Sequence, residues 1–285
     1  MPVSTWAIAE PQKLAFDGPV TSLDVRIVAG AVNVVGTEEP TARLEVSAIE
    51  GPPLIVTQEG GTLTVAYEGL PWNDFLKWFD RKGWHRSAVV SLAVPAGATV
   101  KVGVVGAGAV VSGIRGRTDV RGVSGDTTLV GLAGPVLAET VSGSVEAQSV
   151  TGELHFQTVS GDLTVVEGAG TSVRAESISG SMVLDLDPTG KPTDVRLTTV
   201  SGEVAIRLPH PADATVEANT ASGTVSNGFE DLRVSGQWGA KKITGTLGAG
   251  TGKLRATTVS GSIALLRRPP AEDDPYDAEP TGKVL

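Results

Sequence analysis

The sequence predicts an all-β fold, a single-stranded right-handed β-helix (β-solenoid) of coils about 18–22 residues long, with one short inserted amphipathic helix. The phrase Val-Ser-Gly, or a near variant, recurs every nine residues between Val141 and Gly161. The glycine closing every second phrase returns after 18 residues, from Gly125 to Gly143 and again to Gly161, and later intervals are 19, 22 and 21 residues as far as Gly223. Coils this short cannot hold a strand plus a helix of about ten residues. Such repetition is typical of a stacked architecture.

Within each phrase, apolar residues alternate with polar ones. Around Gly143 the apolar residues stand two before the glycine, two after it and four after it, at Val141, Val145 and Ala147. Because every second side chain of a strand shares one face, we expect these three to point into the core and Ser142 to point outward. Gly143 is expected at a corner, where a Cβ atom would crowd its surroundings or where φ must be positive.

The N-terminal part carries shorter and less regular patterns. Residues 1–22 are expected to form an irregular lead-in, with Trp6 and Phe16 packed on the first strands. Alternating apolar residues then predict strands throughout residues 23–266, which we interpret as one repeat domain. Two apolar stretches flank Gly60-Gly61, and this arrangement predicts a hairpin.

The C-terminal part departs from the regular period. Gly223 and Gly261 are 38 residues apart, and this spacing predicts two degenerate coils marked by Val234-Ser235-Gly236 and Ile243-Thr244-Gly245. The acidic, proline-rich residues 267–285 follow the last strand pattern. Because they contain too little apolar surface to bury, they are expected to form a disordered acidic tail.

Residues 70–86, LPWNDFLKWFDRKGWHR, break the strand pattern and contain three of the five tryptophans of the chain. At about 100° per residue, most aromatic side chains share one face and most charged side chains the other, which predicts a short amphipathic helix ending at Gly83. The residues expected to contact a partner or a membrane are Trp72, Phe75, Lys77, Trp78, Phe79, Arg81, Lys82 and Trp84.

The sequence leaves two roles open for this inserted helix. As a cap, it would cover an open end or seam of the solenoid and prevent edge-to-edge association. As a contact surface, it would rest on an anionic membrane or dock in a groove of a partner protein. Four basic side chains against two acidic ones give the helix a positive charge, which favours an anionic partner: Lys77, Arg81, Lys82 and Arg86 against Asp74 and Asp80.

The composition limits the classes of function. The formal net charge is −9, and five carboxylates against one lysine after Pro270 contribute −4 of it. Because no basic cluster is evident on the strands, we expect the chain to bind no nucleic acid. The chain has no cysteine. Its N-terminal residues do not resemble a signal peptide, and no apolar run approaches the roughly 20 residues of a membrane span. We therefore expect a cytoplasmic protein, peripheral at the inner face of the membrane where it meets one.

No pattern indicates a cofactor, a metal site or a catalytic centre. His85, His155 and His210 lie far apart, each without a second ligand at metal-binding spacing. Calcium takes about six to eight oxygen ligands, and the position after the corner glycine does not keep a carboxylate. The serine of each phrase is expected to be an outward strand residue or a turn hydroxyl, not a nucleophile. Carbohydrate-active β-helix enzymes need paired carboxylates in an aromatic-lined groove, and these repeats nearly lack aromatics. We therefore expect a non-enzymatic protein without a cofactor.

Three features follow one another over residues 23–266: a Gly-x-Val-x-Val phrase at Gly30, the connector Val94-Pro95-Ala96-Gly97, and the repeated Val-Ser-Gly phrases followed by Asp, Ser or Glu. This order resembles the bacterial "putative adhesin", or toastrack, family of β-strand repeats, a domain of unknown function. The resemblance implies a single-stranded β-helix without known catalytic activity. It also implies an association with envelope-stress systems, in which such domains are fused to or encoded beside small membrane proteins and transcription regulators. The family has no catalytic motif, so no residue inherits a role from it.

Together these observations favour a non-enzymatic scaffold or sensor module linked to cell-envelope stress, which acts through protein–protein or membrane-surface contacts. A surface adhesin or structural β-helix module is the alternative, and a carbohydrate-active enzyme is the third hypothesis. The expected partners are a protein, an anionic membrane surface, or a second copy of the chain. Self-association is included because the end coils of a solenoid expose unpaired strand edges.

Overall fold

The computed structural model describes residues 3–68, 86–186, 194–209 and 211–268. Within these ranges every regular element is a β-strand, as the all-β prediction requires. The strands are β1 (Val3–Ile8), β2 (Gln12–Ala15), β3 (Ser22–Ile27), β4 (Ala29–Thr37), β5 (Arg43–Glu50), β6 (Leu54–Glu59), β7 (Thr62–Ala66), β8 (Ser87–Pro95), β9 (Thr99–Val104), β10 (Gly108–Ser112), β11 (Thr118–Gly122), β12 (Thr127–Val130), β13 (Val136–Thr140), β14 (Val145–Gln148), β15 (Leu154–Thr158), β16 (Leu163–Gly168), β17 (Ser172–Ser177), β18 (Met182–Leu186), β19 (Asp194–Thr199), β20 (Val204–Leu208), β21 (Ala214–Thr220), β22 (Val225–Asn227), β23 (Arg233–Gln237), β24 (Ala240–Leu247), β25 (Gly252–Thr258) and β26 (Ile263–Arg267).

The strands form two sheets. Sheet A has 14 strands in the order β1-β6-β7-β3-β9-β11-β13-β15-β17-β19-β25-β21-β24-β23, and sheet B has 12 in the order β2-β5-β8-β4-β10-β12-β14-β16-β18-β20-β26-β22. From β9 to β20 successive strands alternate between the sheets, so each coil gives one strand to each. Neighbouring coils pair in parallel: Val136 of β13 lies opposite Leu154 of β15, and Val145 of β14 opposite Leu163 of β16. The arrangement is solenoid-like, as the nine-residue phrase predicts, and its right-handed winding stays a prediction.

The core is the layer of side chains between the two sheets. Leu154 and Phe156 of β15 and Leu163 and Val165 of β16 point into it, and none is more than 3% exposed. Because the register is kept from coil to coil, equivalent inward residues stack on one another and share one environment. The positions two and four residues after the corner glycine are therefore confirmed as core positions.

The corner from sheet A to sheet B is a four-residue motif, Thr-Val-Ser-Gly. Thr158 ends β15 with its side chain inward, and its Oγ1 accepts the N–H of Gly161 at 2.9 Å. Because the chain bends directly after this threonine, the alternation of side chains stops there, and Val159 points outward with 46% of its surface exposed. The expected inward orientation is therefore wrong at Val159, whereas the equivalent Val141 is partly buried against the core and Val123 is only 2% exposed. At the opposite corner Val150, two residues before Gly152, is buried as expected.

Hydrogen bonds join the corners of successive coils. Ser160 donates both its N–H, at 2.9 Å, and its hydroxyl, at 3.3 Å, to the carbonyl of Val141 in the preceding coil. Gly161 approaches that coil so closely that a Cβ atom would lie 2.1 Å from the carbonyl oxygen of Gly143. Gly161 does not have a positive φ, so close approach selects the glycine. The equivalent hydroxyl accepts the corner glycine N–H at Thr140, Ser177, Thr220 and Thr258.

The N-terminal end contains ordered strands, so the prediction of an irregular lead-in over residues 1–22 is wrong. β1 and β2 pair antiparallel with β6 and β5, at the edges of sheets A and B. The backbone groups of an end coil need hydrogen-bond partners, and these two strands supply them. Trp6 contacts Phe16 edge to face with ring centres 5.4 Å apart. The hairpin predicted around Gly60-Gly61 is confirmed, because β6 and β7 pair antiparallel.

The two degenerate coils expected after Gly223 are not formed. β23 and β24 instead make an antiparallel hairpin beside β21. β25 and β26 then enter the space between the coil β19–β20 and the coil β21–β22. The hairpin reverses at Trp238-Gly239, where both φ angles are positive. The Asn227 amide donates to the carbonyls of Phe229 and Leu232 at 2.8 and 3.1 Å, which fixes this loop at the end of the core.

Two predicted segments fall wholly or largely outside the described residues. Of the expected helix at 70–86, which connects β7 to β8, the structure describes Arg86 alone. Of the expected tail at 267–285 it describes the first two residues. Arg267 is the last residue of β26, and the N–H of Arg268 donates to the carbonyl of Leu208 at 2.9 Å. Ordered structure therefore continues slightly past the predicted end of the repeat domain.

Candidate functional site

The eight residues predicted to contact a partner or a membrane lie outside the described residues: Trp72, Phe75, Lys77, Trp78, Phe79, Arg81, Lys82 and Trp84. The strands on either side show where their segment leaves the fold. It connects β7 of sheet A to β8 of sheet B, at the corner where later coils carry Thr-Val-Ser-Gly. At its base the Arg86 guanidinium is 5.9 Å from the ring centre of Tyr67, and burial raises the pKa of the Tyr67 hydroxyl.

The outer face of sheet A carries a row of basic side chains that the sequence analysis missed. His155, Arg174, Arg196 and Arg255 stand on β15, β17, β19 and β25, and the strand register places each opposite the next. Neighbouring strands are about 4.8 Å apart, so these side chains emerge side by side. We call the three arginines the arginine ladder. Alignment of the coils would have revealed the row, because each of the four residues lies six positions before a corner glycine.

The displaced coil at the C-terminal end creates this ladder. If coils stacked in sequence order, β21 would follow β19, and Glu217 would lie beside Arg196. Because β25 enters between them, Arg255 becomes the neighbour of Arg196, and Glu217 lies on the far side of Arg255. The fold therefore replaces an opposite charge by a like charge at this point.

The carboxylates near the ladder are unevenly distributed. Glu176 Oε1 accepts from Arg174 at 2.9 Å (Nε) and 2.6 Å (Nη2). Glu217 accepts from Arg255 at 3.0 Å and from Lys242 at 2.8 Å, and the Lys242 ammonium, followed by Arg255, holds the pKa of Glu217 below its usual range. Within the described residues Arg196 makes no hydrogen bond or ion pair. The central guanidinium of the ladder therefore carries an uncompensated charge.

The immediate surroundings of Arg196 suit an anion. Thr198 and Thr257 follow Arg196 and Arg255 on the same outer face, and their hydroxyls can donate hydrogen bonds. On the other side, Lys253 of β25 lies opposite Asp194 of β19. With Glu217 and its partner Lys242 included, two guanidiniums and two ammoniums against two carboxylates give this part of the face a formal charge of +2, while the whole chain carries −9. Guanidinium groups bind carboxylate and phosphate by paired, charge-assisted hydrogen bonds.

A shallow groove of about 290 Å³ continues the ladder toward the N-terminal coils. Arg117, His155 and Arg174 line it, together with Glu153. The Arg117 Nε donates to Asp119 at 2.8 Å, and His155 Nε2 lies 3.2 Å from Gln157 Nε2. The groove and the ladder share Arg174 and form one surface from Arg117 to β25, and Glu153 is the carboxylate that lines its groove end.

The described residues offer little other chemistry. They contain no group of three or more acidic or histidine side chains placed to hold a metal ion. They include no helix of the length and apolarity that a membrane crossing requires. The corner serines donate their hydroxyls to carbonyls of the neighbouring coil, as Ser142 does to Val123 at 3.0 Å. The premise that the strands carry no basic cluster is wrong, whereas the expectation that the chain binds no nucleic acid stays a prediction.

Comparisons with known proteins add little to this geometry. The sequence matches no protein-family model, and it matches none of the curated proteins. Among solved structures, the chain is similar to the crystal structure of a "putative cell adhesion protein" from Clostridium sporogenes ATCC 15579. The two share 10% sequence identity over 91% of this chain and 100% of that chain, with a TM-score of 0.29.

Proposed function

We propose that this chain is a non-enzymatic scaffold or sensor module that holds an acidic, extended segment of a partner protein on the outer face of sheet A. The observation that carries the proposal is the unpaired charge of Arg196 between Arg174 and Arg255. The link to cell-envelope stress rests on the sequence resemblance alone.

Energetics support a binding role for the ladder. Like charges directly opposite each other on neighbouring strands destabilise a sheet. Arg196 has such a neighbour on each side, and Arg174 and Arg255 each have a carboxylate of their own. An arrangement that weakens the isolated fold without a local gain is expected at functional positions. A partner carboxylate would turn this repulsion into attraction.

Geometry favours an extended segment over a single small anion. Three adjacent guanidiniums span about 10 Å, because neighbouring strands are about 4.8 Å apart. In an extended chain, side chains on one side recur about every 7 Å. Two carboxylates of an acidic segment can therefore reach the ladder together, and a third can reach the groove at His155 and Arg117.

The direct test is fluorescence anisotropy with labelled octaglutamate as the probe. Arg196→Thr removes the unpaired charge and keeps a residue suited to a strand. We expect this variant to bind octaglutamate at least tenfold more weakly than the wild type, and we expect wild-type binding to weaken steeply with added salt. The matched control is Arg43→Thr, which makes the same change on β5 of sheet B, where Arg43 is paired with Glu39 at 2.7 Å.

Equal affinity of Arg196→Thr and the wild type would contradict the proposal, as would equal binding of octaglutamine. Phosphatidylserine vesicles form a separate arm of the experiment. Vesicle binding that depends on Trp72 and Trp78, measured with Trp72→Ala/Trp78→Ala, and not on Arg196 would favour the membrane contact expected from the sequence. In either case, weaker octaglutamate binding by Arg196→Thr is the result that supports a binding role for the ladder.

A further inference from the structure

At its C-terminal end, sheet A extends beyond sheet B. β24 and β23 follow β21 in sheet A, whereas sheet B ends at the three-residue β22. Among the described residues, β23 is the outermost strand of sheet A and pairs with β24 alone. All five of its residues, Arg233 to Gln237, are exposed. In the part of the chain that the structure describes, one side of β23 is therefore a strand edge without a partner.

The hairpin geometry identifies which backbone groups face this free edge. Trp238 and Gly239 have φ angles of 55° and 91°, as in a two-residue type I′ turn, so Gln237 and Ala240 form the hydrogen-bonded closing pair. Hydrogen-bonded pairs then alternate along the ladder. The N–H and C=O groups of Val234 and Gly236 consequently point away from β24, into solvent.

Among the described residues, this edge has little protection against pairing. Proteins blunt edge strands with charged side chains, proline, bulges or a covering element, and the only charged side chain of β23 is Arg233. β23 contains no proline, and its register with β24 shows no bulge. Val234 is 52% exposed, and Trp238 at the hairpin tip is fully exposed. The edge strand β1 at the N-terminal end differs, because its Trp6 contacts Phe16 and its Ile8 is buried.

We propose that this edge is a dimer interface, in which β23 pairs antiparallel with β23 of a second copy and joins the two A sheets. Pairing centred on Ser235 sets Arg233 opposite Gln237 and Val234 opposite Gly236, so no like charges meet. It also brings Trp238 beside Arg233 of the second copy, where a cation–π contact can form. The interface is self-complementary, as a two-fold dimer requires. The proposal is independent of the arginine ladder.

Local charge favours a second copy as the occupant. Around the hairpin, Glu230 and Asp231 stand against Arg233 and Lys241, while Lys242 is paired with Glu217, so this end is locally neutral in a chain of net charge −9. Two copies can therefore approach through this end with less repulsion than through the acidic remainder of their surfaces. An extended peptide would find the same backbone groups, but the side chains of β23 offer it no pocket for specificity.

Sedimentation equilibrium of the full chain tests the proposal. Val234→Pro removes an N–H that faces the free edge and keeps the bonds between β23 and β24, because proline is tolerated at such a position. We expect the wild type to be dimeric and Val234→Pro to be monomeric, with unchanged circular dichroism. Val234→Thr is the matched control, since it keeps the N–H and is expected to remain dimeric. Trp238→Asn suits the turn and is expected to raise the dimer dissociation constant about tenfold.

Three outcomes would overturn the proposal: a monomeric wild type, a dimer that persists in Val234→Pro with native circular dichroism, or open-ended assembly at increasing concentration. Open-ended assembly would indicate pairing of β23 with β1 at the opposite end of another copy, because a head-to-tail contact does not close. If Val234→Pro lost its native circular dichroism, Trp238→Asn would decide, since an unchanged dissociation constant in that variant contradicts the interface.

Discussion

The corners and the arginine ladder occupy the same coils, but they follow opposite rules. At the corner from sheet A to sheet B, threonine or serine binds the glycine three residues later in coil after coil. Six positions before that glycine, the residue changes from Asp119 and Leu137 to His155 and then to arginine. The corner residues repeat because the backbones of successive coils approach each other closely there. The residue six positions before the glycine varies because no packing constraint acts on the outer face of sheet A. Charged side chains at that position are therefore free to serve binding.

The largest expected effect is at the corner glycine. In Gly161→Ala the added Cβ would lie 2.1 Å from the Gly143 carbonyl oxygen, so the backbone of two coils must move. We expect a loss of about 3 kcal/mol or more in the free energy of unfolding, measured by urea denaturation. Gly97→Ala is the control, because its Cβ would meet no atom within 4 Å. Similar losses in both variants would mean that close approach does not select the corner glycine.

The buried corner hydroxyl should come next. Thr158→Val keeps the shape of the side chain but removes the acceptor of the Gly161 N–H, so a buried donor loses its partner. We expect a loss of about 1–3 kcal/mol. Ser160→Ala should change stability by less than about 0.5 kcal/mol, since the exposed Ser160 hydroxyl shares the Val141 carbonyl with its own N–H. Equal losses of stability in Thr158→Val and Ser160→Ala would contradict the special role of the buried threonine in the four-residue motif.

Much of the repeat could be predicted from sequence, and the misses have physical causes. Leu163 and Val165 follow the strand alternation and are buried as expected. Val159 does not, because the bend after Thr158 ends the alternation before the glycine is reached. The role of Thr158 is hard to predict from the sequence, because its inward side chain fits the strand pattern while its hydroxyl binds the Gly161 N–H at the corner.

The ladder was missed for a topological reason. Arg196 and Arg255 are 59 residues apart in sequence, and they become neighbours only because β25 enters the stack out of order. Local pattern predicts which residues point outward, but it does not specify which coil lies next to which. The phrases Val234-Ser235-Gly236 and Ile243-Thr244-Gly245 likewise predict two coils by local pattern. They form a hairpin because the chain reverses between them at Trp238-Gly239, where both φ angles are positive.

A charge cluster with complete partners provides a contrast to the ladder. On sheet B, Asp185 is buried and accepts hydrogen bonds from Arg207, with Nε at 2.8 Å, and from Arg268 at 2.8 Å. The hydrogen bond from Arg207, followed by that from Arg268, lowers the pKa of Asp185. Asp185→Asn should destabilise the fold by about 1 kcal/mol at neutral pH, because both arginines are partly exposed and water screens the lost charge.

The pH dependence of this cluster has a definite sign. A lowered folded-state pKa means that the stabilisation is complete above the unfolded-state carboxyl pKa and is lost as pH falls through the folded-state value. The difference between wild type and Asp185→Asn should therefore shrink only at acidic pH, in urea unfolding followed across a pH series. Glu39→Gln, at the exposed pair with Arg43, is the control and should have little effect at any pH. If the difference in the free energy of unfolding between wild type and Asp185→Asn grew on acidification, the hydrogen bonds from Arg207 and Arg268 would not be the cause of the lowered pKa.

The smallest expected effect on stability is at the centre of the ladder. Arg196→Thr removes like-charge repulsion from two sides and breaks no ion pair within the described residues, so the free energy of unfolding should stay equal or rise by up to about 0.5 kcal/mol. Because the effect is electrostatic, the rise should be largest at low ionic strength and should vanish in concentrated salt. Urea unfolding at several salt concentrations measures both. A salt-independent loss of stability would assign Arg196 a structural role like that of the corners. An unchanged or higher stability, together with weaker octaglutamate binding, would show that the corners stabilise the fold and the ladder serves binding.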